Sequence, residues 1–548
     1  MLRLPTITIL LACIPALAPA ADHEHGNGHA DSEKLGKVQF ETSCAPDAQG
    51  DFNRAVALLH SFEFGPAIAG FDTVLSKDPS CAMAHWGTAL AYWGNPFGGA
   101  RSNAALQQGL SAIGRAREGK PATAREQAYI EAAATLFEDY PNVIQRERVV
   151  AYARAMERVS REYPDDTEAQ IFYALAVNQT ALPTDKSYAP QLKAASILEP
   201  LAEELPDHPG LTHYIIHAYD HPPLASRALS AARRYAKIAP SAPHALHMPS
   251  HTFTRVGSWD ESAATNRRSE QTAIEQGATT EALHAMDYQT YAYLQMAQYR
   301  NAKAVLDRLP AVVAKFDPGG IGGAAPPMAG YFAMTAMPAR YALERGAWRE
   351  AAESAVPEEG TPFTIAIAHF ARAIGAAKTG HVPEAKTDIQ RLEALRDDLE
   401  ARQDSYWAGQ VDIQRQVASA WVAFAEGQED EGIRLLRAAA DAEDASDKAA
   451  VTPGPLAPAR EMLGYMLLEA GQPEDALVEF AKSMEKEPNR FRGAYGAALA
   501  AEAAGQKDEA RRHFMSLLEI ARDADTTLPE LVHAREYVAG KRVATKSR

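Results

Sequence analysis

The chain has 548 residues, with 55 basic side chains against 71 acidic ones and a net charge of −16. That balance disfavours nucleic acid or an anionic membrane surface as a partner held by general electrostatics. Length alone suggests about three or four domains, but a repeat array grows without founding a new core, so length does not count domains here.

The first residues read as an export signal: MLR gives a weakly positive start, Leu4 to Leu17 is mostly apolar, and Ala18-Pro19-Ala20 offers a small-x-small cleavage site. The apolar stretch is too short and too interrupted by Pro to span a bilayer. Lipid attachment at Cys13 is the alternative. No later segment reaches 18 uninterrupted apolar residues, so a soluble, periplasmic or secreted mature chain without a membrane span is expected. Residues 21–47 follow as a flexible segment, with His23, His25 and His29 in DHEHGNGH. Such tracts bind transition metals loosely or serve as solvated linkers. Past the signal the cysteines are Cys44 and Cys81. In an oxidising compartment they form one disulfide, stapling the N-terminal segment to the second helical unit; two buried thiols are the other reading. With no CxxC, thioredoxin-type chemistry and covalent haem have no support.

From residue 48 the chain reads as helical pairs. Ala67, Phe71 and Pro79 mark a second helix and its closing turn, and Ala89 and Tyr92 continue into the next helix. His60 and Glu63 stand three apart as a possible ligand pair, or as an interior His and a surface-edge Glu. Trp86, Tyr92, Trp93 and Phe97 are read as filling a repeat interface. Residues 94–125 break the period with a loop and an extra helix.

The segment 213–251 holds six of the 17 histidines. His213 and His217 sit in HYIIHAYDH, and His247 and His251 in PHALHMPSH, each 34 residues later. Thirty-four residues is the length of a helix–turn–helix repeat. On a helix, i and i+4 side chains share one face, so His213, His217 and His221 form one stripe. His247 and His251 form another, with His244 one turn earlier. Imidazoles so paired chelate an ion at about 2.0–2.1 Å, and helices about 8–10 Å apart let two pairs converge. We expect the nitrogens of these four residues within about 5 Å of one point, as a site for Cu, Zn, Ni or Fe. Asp220 is a candidate oxygen ligand or an orienting partner, and His284 and Asp287 could extend the site. His85 holds the matching register position several repeats away and is read as structural. If a helix starts near Pro243, Pro249 falls inside it at a cost of about 3 kcal/mol or more, a break tolerated at a functional site or a helix that ends early. Half-buried histidines donating to carbonyls between repeats are the bland alternative for the whole cluster.

Further on, Gly257-Ser-Trp-Asp-Glu-Ser262 reads as an inter-helix turn, and Gly346/Ala351, Gly380/Ala385 and Gly427/Gly432 repeat its spacing. Residues 317–330, DPGGIGGAAPPMAG, are read as a non-helical hinge or lid between two arrays, 48–316 and 331–540. Residues 441–458 interrupt the second array, and 541–548 form a basic tail. Near the C-terminus Leu463-Gly464, Gly471, Ala476, Phe480 and Pro488 fall at repeat spacing, and Gly505, Ala510 and Phe514 recur 34 residues after Gly471, Ala476 and Phe480. Ala lets helices approach, the aromatic fills the gap, and Pro ends the second helix.

This pattern resembles the tetratricopeptide repeat (TPR) family. The resemblance implies an all-α, right-handed superhelical solenoid of about nine to twelve helical pairs, whose concave surface binds a protein or peptide. The sequence lacks a Gly-rich phosphate loop, a GxSxG elbow and an HExxH motif, so nucleotide cofactors and the main hydrolase classes have no support. The resulting expectation is an exported TPR scaffold carrying a transition-metal site. A metal-dependent enzyme, a metal-free interaction adaptor and a metal-free enzyme with His as acid or base are the alternatives.

Overall fold

Every inter-helix turn in the second half solves the same problem, reversing the chain within a few residues while keeping the helix end bonded. Gly346, Gly380, Gly427, Gly471 and Gly505 do so at φ between 64° and 81°, the left-handed conformation that glycine adopts without a Cβ penalty. The spacing that predicts these turns is the spacing found.

The computed structural model describes residues 33–119, 123–319 and 322–540. The export signal, His23, His25, His29 and the basic tail lie outside them. Among the described residues are twenty-six α-helices, two short 3-10 helices and no strand. None of the helices is long and apolar enough to cross a membrane. Each packs on the next, and several also pack on the one after, as Thr279–Gln295 does on Pro327–Glu344 and Ala459–Glu469 on Phe491–Ala503. This is a TPR-like helical-repeat fold.

The pattern residues account for the packing. Ala67, Phe71, Ala476, Phe480, Ala510 and Phe514 are all fully buried. Phe480, on Pro473–Lys486, fits against the backbone of the helices on either side, and a Cβ on Gly464 would lie 2.7 Å from its ring. Cys44 and Cys81 form a disulfide across 37 residues, tying the N-terminal strap to the start of helix Ala82–Trp93.

Three expectations change. The described end of the N-terminal segment is not a flexible tether, because Leu35, Val38 and Phe40 are buried in the core. The 317–330 segment is not loop throughout: Pro327 takes the first-turn position that suits proline, and residues 327–330 open helix Pro327–Glu344. The two arrays also pack as one unit from Leu35 onward. Trp259 Nε1 donates to the Asn489 carbonyl at 2.7 Å. Buried Arg490 donates to Tyr291 Oη at 2.6 Å, Glu344 at 2.7 Å and Glu461 at 3.0 Å. A guanidinium enclosed in the interior must satisfy its donors, and these partners come from widely separated repeats.

Phe480→Ala should leave an unfilled gap between three helices and cost about 3–5 kcal/mol. Chemical denaturation followed by helical circular dichroism should show a transition shifted to lower denaturant; an unshifted curve would contradict this packing.

Candidate metal centre

Four helices, spread over three successive helical pairs, carry the cluster. Pro209–Tyr219 supplies His213 and His217, while Thr279–Gln295 supplies His284. Between them Pro243–His247 and Pro249–Arg255 supply His244, His247 and His251. The expected interruption at Pro249 is present, but Met248 between the two pieces keeps helical angles (φ −52°, ψ −36°), so the axis barely breaks. Pro249 thereby opens a second short helix, and His247 and His251 remain one above the other.

All six imidazoles are buried. Their potential ligand atoms fall into two sets, His213/His217/His244 and His247/His251/His284, each with its atoms within 4.8 Å of one another. Where the sequence points to one four-nitrogen site, the ligand atoms sort into two sets: each HxxxH pair stays together and recruits a third imidazole. The sets adjoin, with ring centroids 6.0 Å apart for His244 and His247 and 6.1 Å for His217 and His251.

The hydrogen bonds identify which nitrogens are free. His213 Nδ1 donates to the His60 carbonyl at 2.6 Å. His247 Nδ1 donates to Asn266 Oδ1 at 2.7 Å, and the amide is held in that sense because Asn266 Nδ2 donates to the Ser262 carbonyl at 2.8 Å. His251 Nδ1 donates to Asp220 Oδ2 at 2.8 Å. Asp220 itself is clamped by Arg255, whose Nε donates to Oδ1 at 2.9 Å. With Nδ1 protonated, a neutral ring offers a bare lone pair at Nε2. Yet His247 Nε2 and His251 Nε2 lie 3.1 Å apart, as do His213 Nε2 and His217 Nε2. For His247 and His251, two acceptors face each other with no proton between them. An ion bonded to both at about 2.0–2.1 Å would subtend an angle of about 100°, between the tetrahedral and octahedral values.

Burial keeps five of these rings neutral. It holds His213, His217, His247 and His284 well below the usual imidazole range and lowers His251 despite the opposing pull of Asp220. His244 has no hydrogen-bond partner at either nitrogen. Its Nδ1 stands 3.8 Å from Glu281 Oε2, too far for a hydrogen bond, and that oxygen is also unpartnered. Lone pairs without donors are costly in a dry interior, by about 1–3 kcal/mol each.

Two buried carboxylates border the first set. Glu63 Oε1 accepts from the backbone N–H of His244 at 3.1 Å, and burial beside Glu281 pushes its carboxyl up to about 8. Glu63 is therefore not a surface-edge residue, as the sequence suggested. The turn that carries it, with Phe62 at φ 57°, also presents the His60 carbonyl and the Phe62 ring, 4.3 Å from His213. Phe97, from the inserted 94–102 loop, stacks on His217 at 4.3 Å. Glu281 stands 34 residues after His247, so the repeat register points to it.

Other expected participants lie elsewhere. His221 does not continue the stripe: the helix ends at Tyr219, Asp220 turns away at ψ 50°, and Pro222-Pro223 prevents resumption. His221 Nδ1 donates instead to Asp447 at 3.0 Å. Asp287 pairs with Arg340 at 3.1 Å, and Asp220 orients His251 from outside the set. His85 belongs to neither set. A third group, His60, Glu168 and His208, escaped the sequence reading for its last two members. His60 Nε2 and His208 Nε2 bond the two Glu168 oxygens at 2.9 and 3.0 Å, and His60 Nδ1 meets Tyr214 Oη at 2.9 Å. Each of those contacts can pair a donor with an acceptor, so no two lone pairs are forced together there, and His208 Nδ1 is the one ring nitrogen of the group without a partner.

Two loops cover the cluster. Segment 322–326 reaches it through Ala325 N, which donates to Glu281 at 2.5 Å, and the Ala324 carbonyl, which accepts from Asn95 at 3.0 Å. The other array supplies the 445–458 loop, which closes over the second set where its Ala450 and Thr452 carbonyls share the Tyr288 O–H at 2.9 and 3.1 Å. Tyr288 lies 4.7 Å from His247 and 5.2 Å from His251, ring to ring.

Five imidazoles with lowered pKa bind fewer protons folded than unfolded. Their contribution to stability is full above the ordinary imidazole pKa of about 6.5 and declines as pH falls through it. Glu63 and Glu443, raised to about 8 and 7, and Asp287, also raised, act in the opposite sense, but the lowered imidazoles, buried His60 among them, outnumber these three. Chelator-treated protein should therefore melt at lower temperature at pH 5.5 than at pH 7.5. Equal melting temperatures would contradict buried neutral rings.

Comparison with known proteins adds little. No family model matches the chain, and no curated protein matches it. Among solved structures, the APC/C hetero-tetramer Cut9-Hcn1 aligns with a TM-score of 0.33 and 11% identity, over 90% of this chain and 89% of that one. A likeness of that size carries no argument about the site.

Proposed function

We propose that this chain is an exported metalloprotein in which a TPR-like scaffold holds two neighbouring transition-metal ions, one on His213, His217 and His244, the other on His247, His251 and His284. The observation that carries the reading is the facing of His247 Nε2 and His251 Nε2 at 3.1 Å, with each Nδ1 committed to a fixed acceptor. Helix-borne imidazoles locked through Nδ1 by a carboxylate, an amide oxygen or a carbonyl are the arrangement that orients metal ligands. An all-imidazole set suits copper or zinc best, with iron or nickel next.

Three protein ligands leave a position for water or substrate, as at catalytic rather than closed structural sites. That supports a metal-dependent enzyme over a metal store. Glu281, and Glu63 once it gives up its proton, offset part of the charge that cations bring into the interior. Export is part of the same proposal, supported by the Cys44–Cys81 disulfide, which suits an oxidising compartment. A protein or peptide partner on the concave surface follows from the TPR resemblance and belongs to the same proposal.

Full-length protein purified untagged, then equilibrated with copper or zinc and desalted, should retain about two ions per chain by elemental analysis. His213→Ala and His247→Ala should each retain about one, and the double variant none. Asp220→Asn should keep the fold but bind metal about 10–100-fold more weakly. Protein that retains no ion, with a double variant as stable as the parent, would end the metal reading.

A further inference from the structure

Beyond the histidines, on the far side of Asp220, lies a cavity of about 70 Å³ lined by Arg255, Tyr406, Gln414, Lys448, Thr452 and Glu487, among others. One water needs about 10–15 Å³ of such space, so several non-hydrogen atoms fit. Its walls come from the His251-bearing helix, the 445–458 loop and helix Ser405–Ala425, completed by Phe370, Glu443, Lys486 and Glu487. Two cationic residues, Arg255 and Lys448, stand among those that line it. The Arg255 side chain is 2% exposed and that of Lys448 is 6% exposed. Both lean on one carboxylate: Arg255 Nε is 2.9 Å from Asp220 Oδ1, and Lys448 Nζ is 3.7 Å from Asp220 Oδ2, beyond hydrogen-bond reach. Asp220 already accepts from His251 as well. Lys448 Nζ and Arg255 Nη1 are consequently left without any hydrogen-bond partner.

Buried cationic donors need acceptors, and two of them beside one cavity fit the oxygens of an anion. Glu487, buried in the same wall, limits the total negative charge the space tolerates and weighs against a dianion. We infer that this cavity is a binding subsite for the carboxylate group of a small molecule, held by Lys448 and Arg255. The subsite stands on these residues alone and does not require the imidazoles to hold an ion. With ions present, its occupant would share Asp220 with His251 and sit beside the metal centre, which makes a carboxylate-bearing molecule the substrate class.

The test is isothermal titration of full-length, chelator-treated protein with sodium acetate, against sodium chloride at equal ionic strength. Acetate should bind saturably. Lys448→Met should weaken it by about tenfold or more. Glu487→Gln, which removes a repelling charge, should tighten it by about threefold. A gain of affinity cannot come from misfolding, so the second variant decides the matter even if the first is unstable. No saturable acetate binding, unchanged affinity in folded Lys448→Met, unchanged or weaker affinity in Glu487→Gln, or inorganic phosphate binding as tightly as acetate would each overturn the subsite. Because the titration uses metal-free protein, its result is independent of metal content, and either reading can fail while the other survives.

Discussion

Two lone pairs facing each other at 3.1 Å in a dry interior are the constraint around which the centre of this molecule is organised. Neutral imidazoles repel in that posture, and protonating either one would place a charge among buried rings. The fold nevertheless locks both rings from behind, through Asn266 and through an Asp220 that is itself clamped by Arg255. Such effort spent on fixing an unfavourable contact makes sense when a cation occupies the gap. The His60–Glu168–His208 group is the contrast: equally buried, it pairs donors with acceptors at Glu168 and Tyr214 and leaves only His208 Nδ1 without a partner.

The repeat architecture explains how such a site arises. Helices in successive repeats present equivalent positions to a common interior, so an HxxxH placed at the same register in two repeats is stacked side by side. A third repeat completes the stack with His284 and with Glu281 at the register position of His247. What makes the place an enclosed site rather than an open groove is non-periodic: the turn at Phe62–Glu63, the inserted loop carrying Phe97, segment 322–326 and the 445–458 loop.

That division sets what the sequence reveals. Turn glycines, the Ala–Phe pattern and the two histidine pairs follow a period, and a period is visible in one chain. His244 and His284 are nearby in register and could be named, though the sharing of six rings between two sets could not. A choice between one four-ring site and two three-ring sites depends on differences of about an ångström, which helix spacing does not resolve. Glu63, Lys448 and Asp447 approach from distant, aperiodic segments, and nothing in their local sequence marks them as neighbours of the cluster. His221 was misplaced for a local reason, the helix end enforced by Pro222-Pro223.

The most direct test of the central claim is anomalous X-ray diffraction from crystals of the metal-loaded protein, collected on both sides of the copper and zinc edges. Two separate anomalous peaks are predicted, one within bonding distance of His213, His217 and His244 and the other of His247, His251 and His284. A single peak shared by His213, His217, His247 and His251, or no peak among the six rings, would contradict the account.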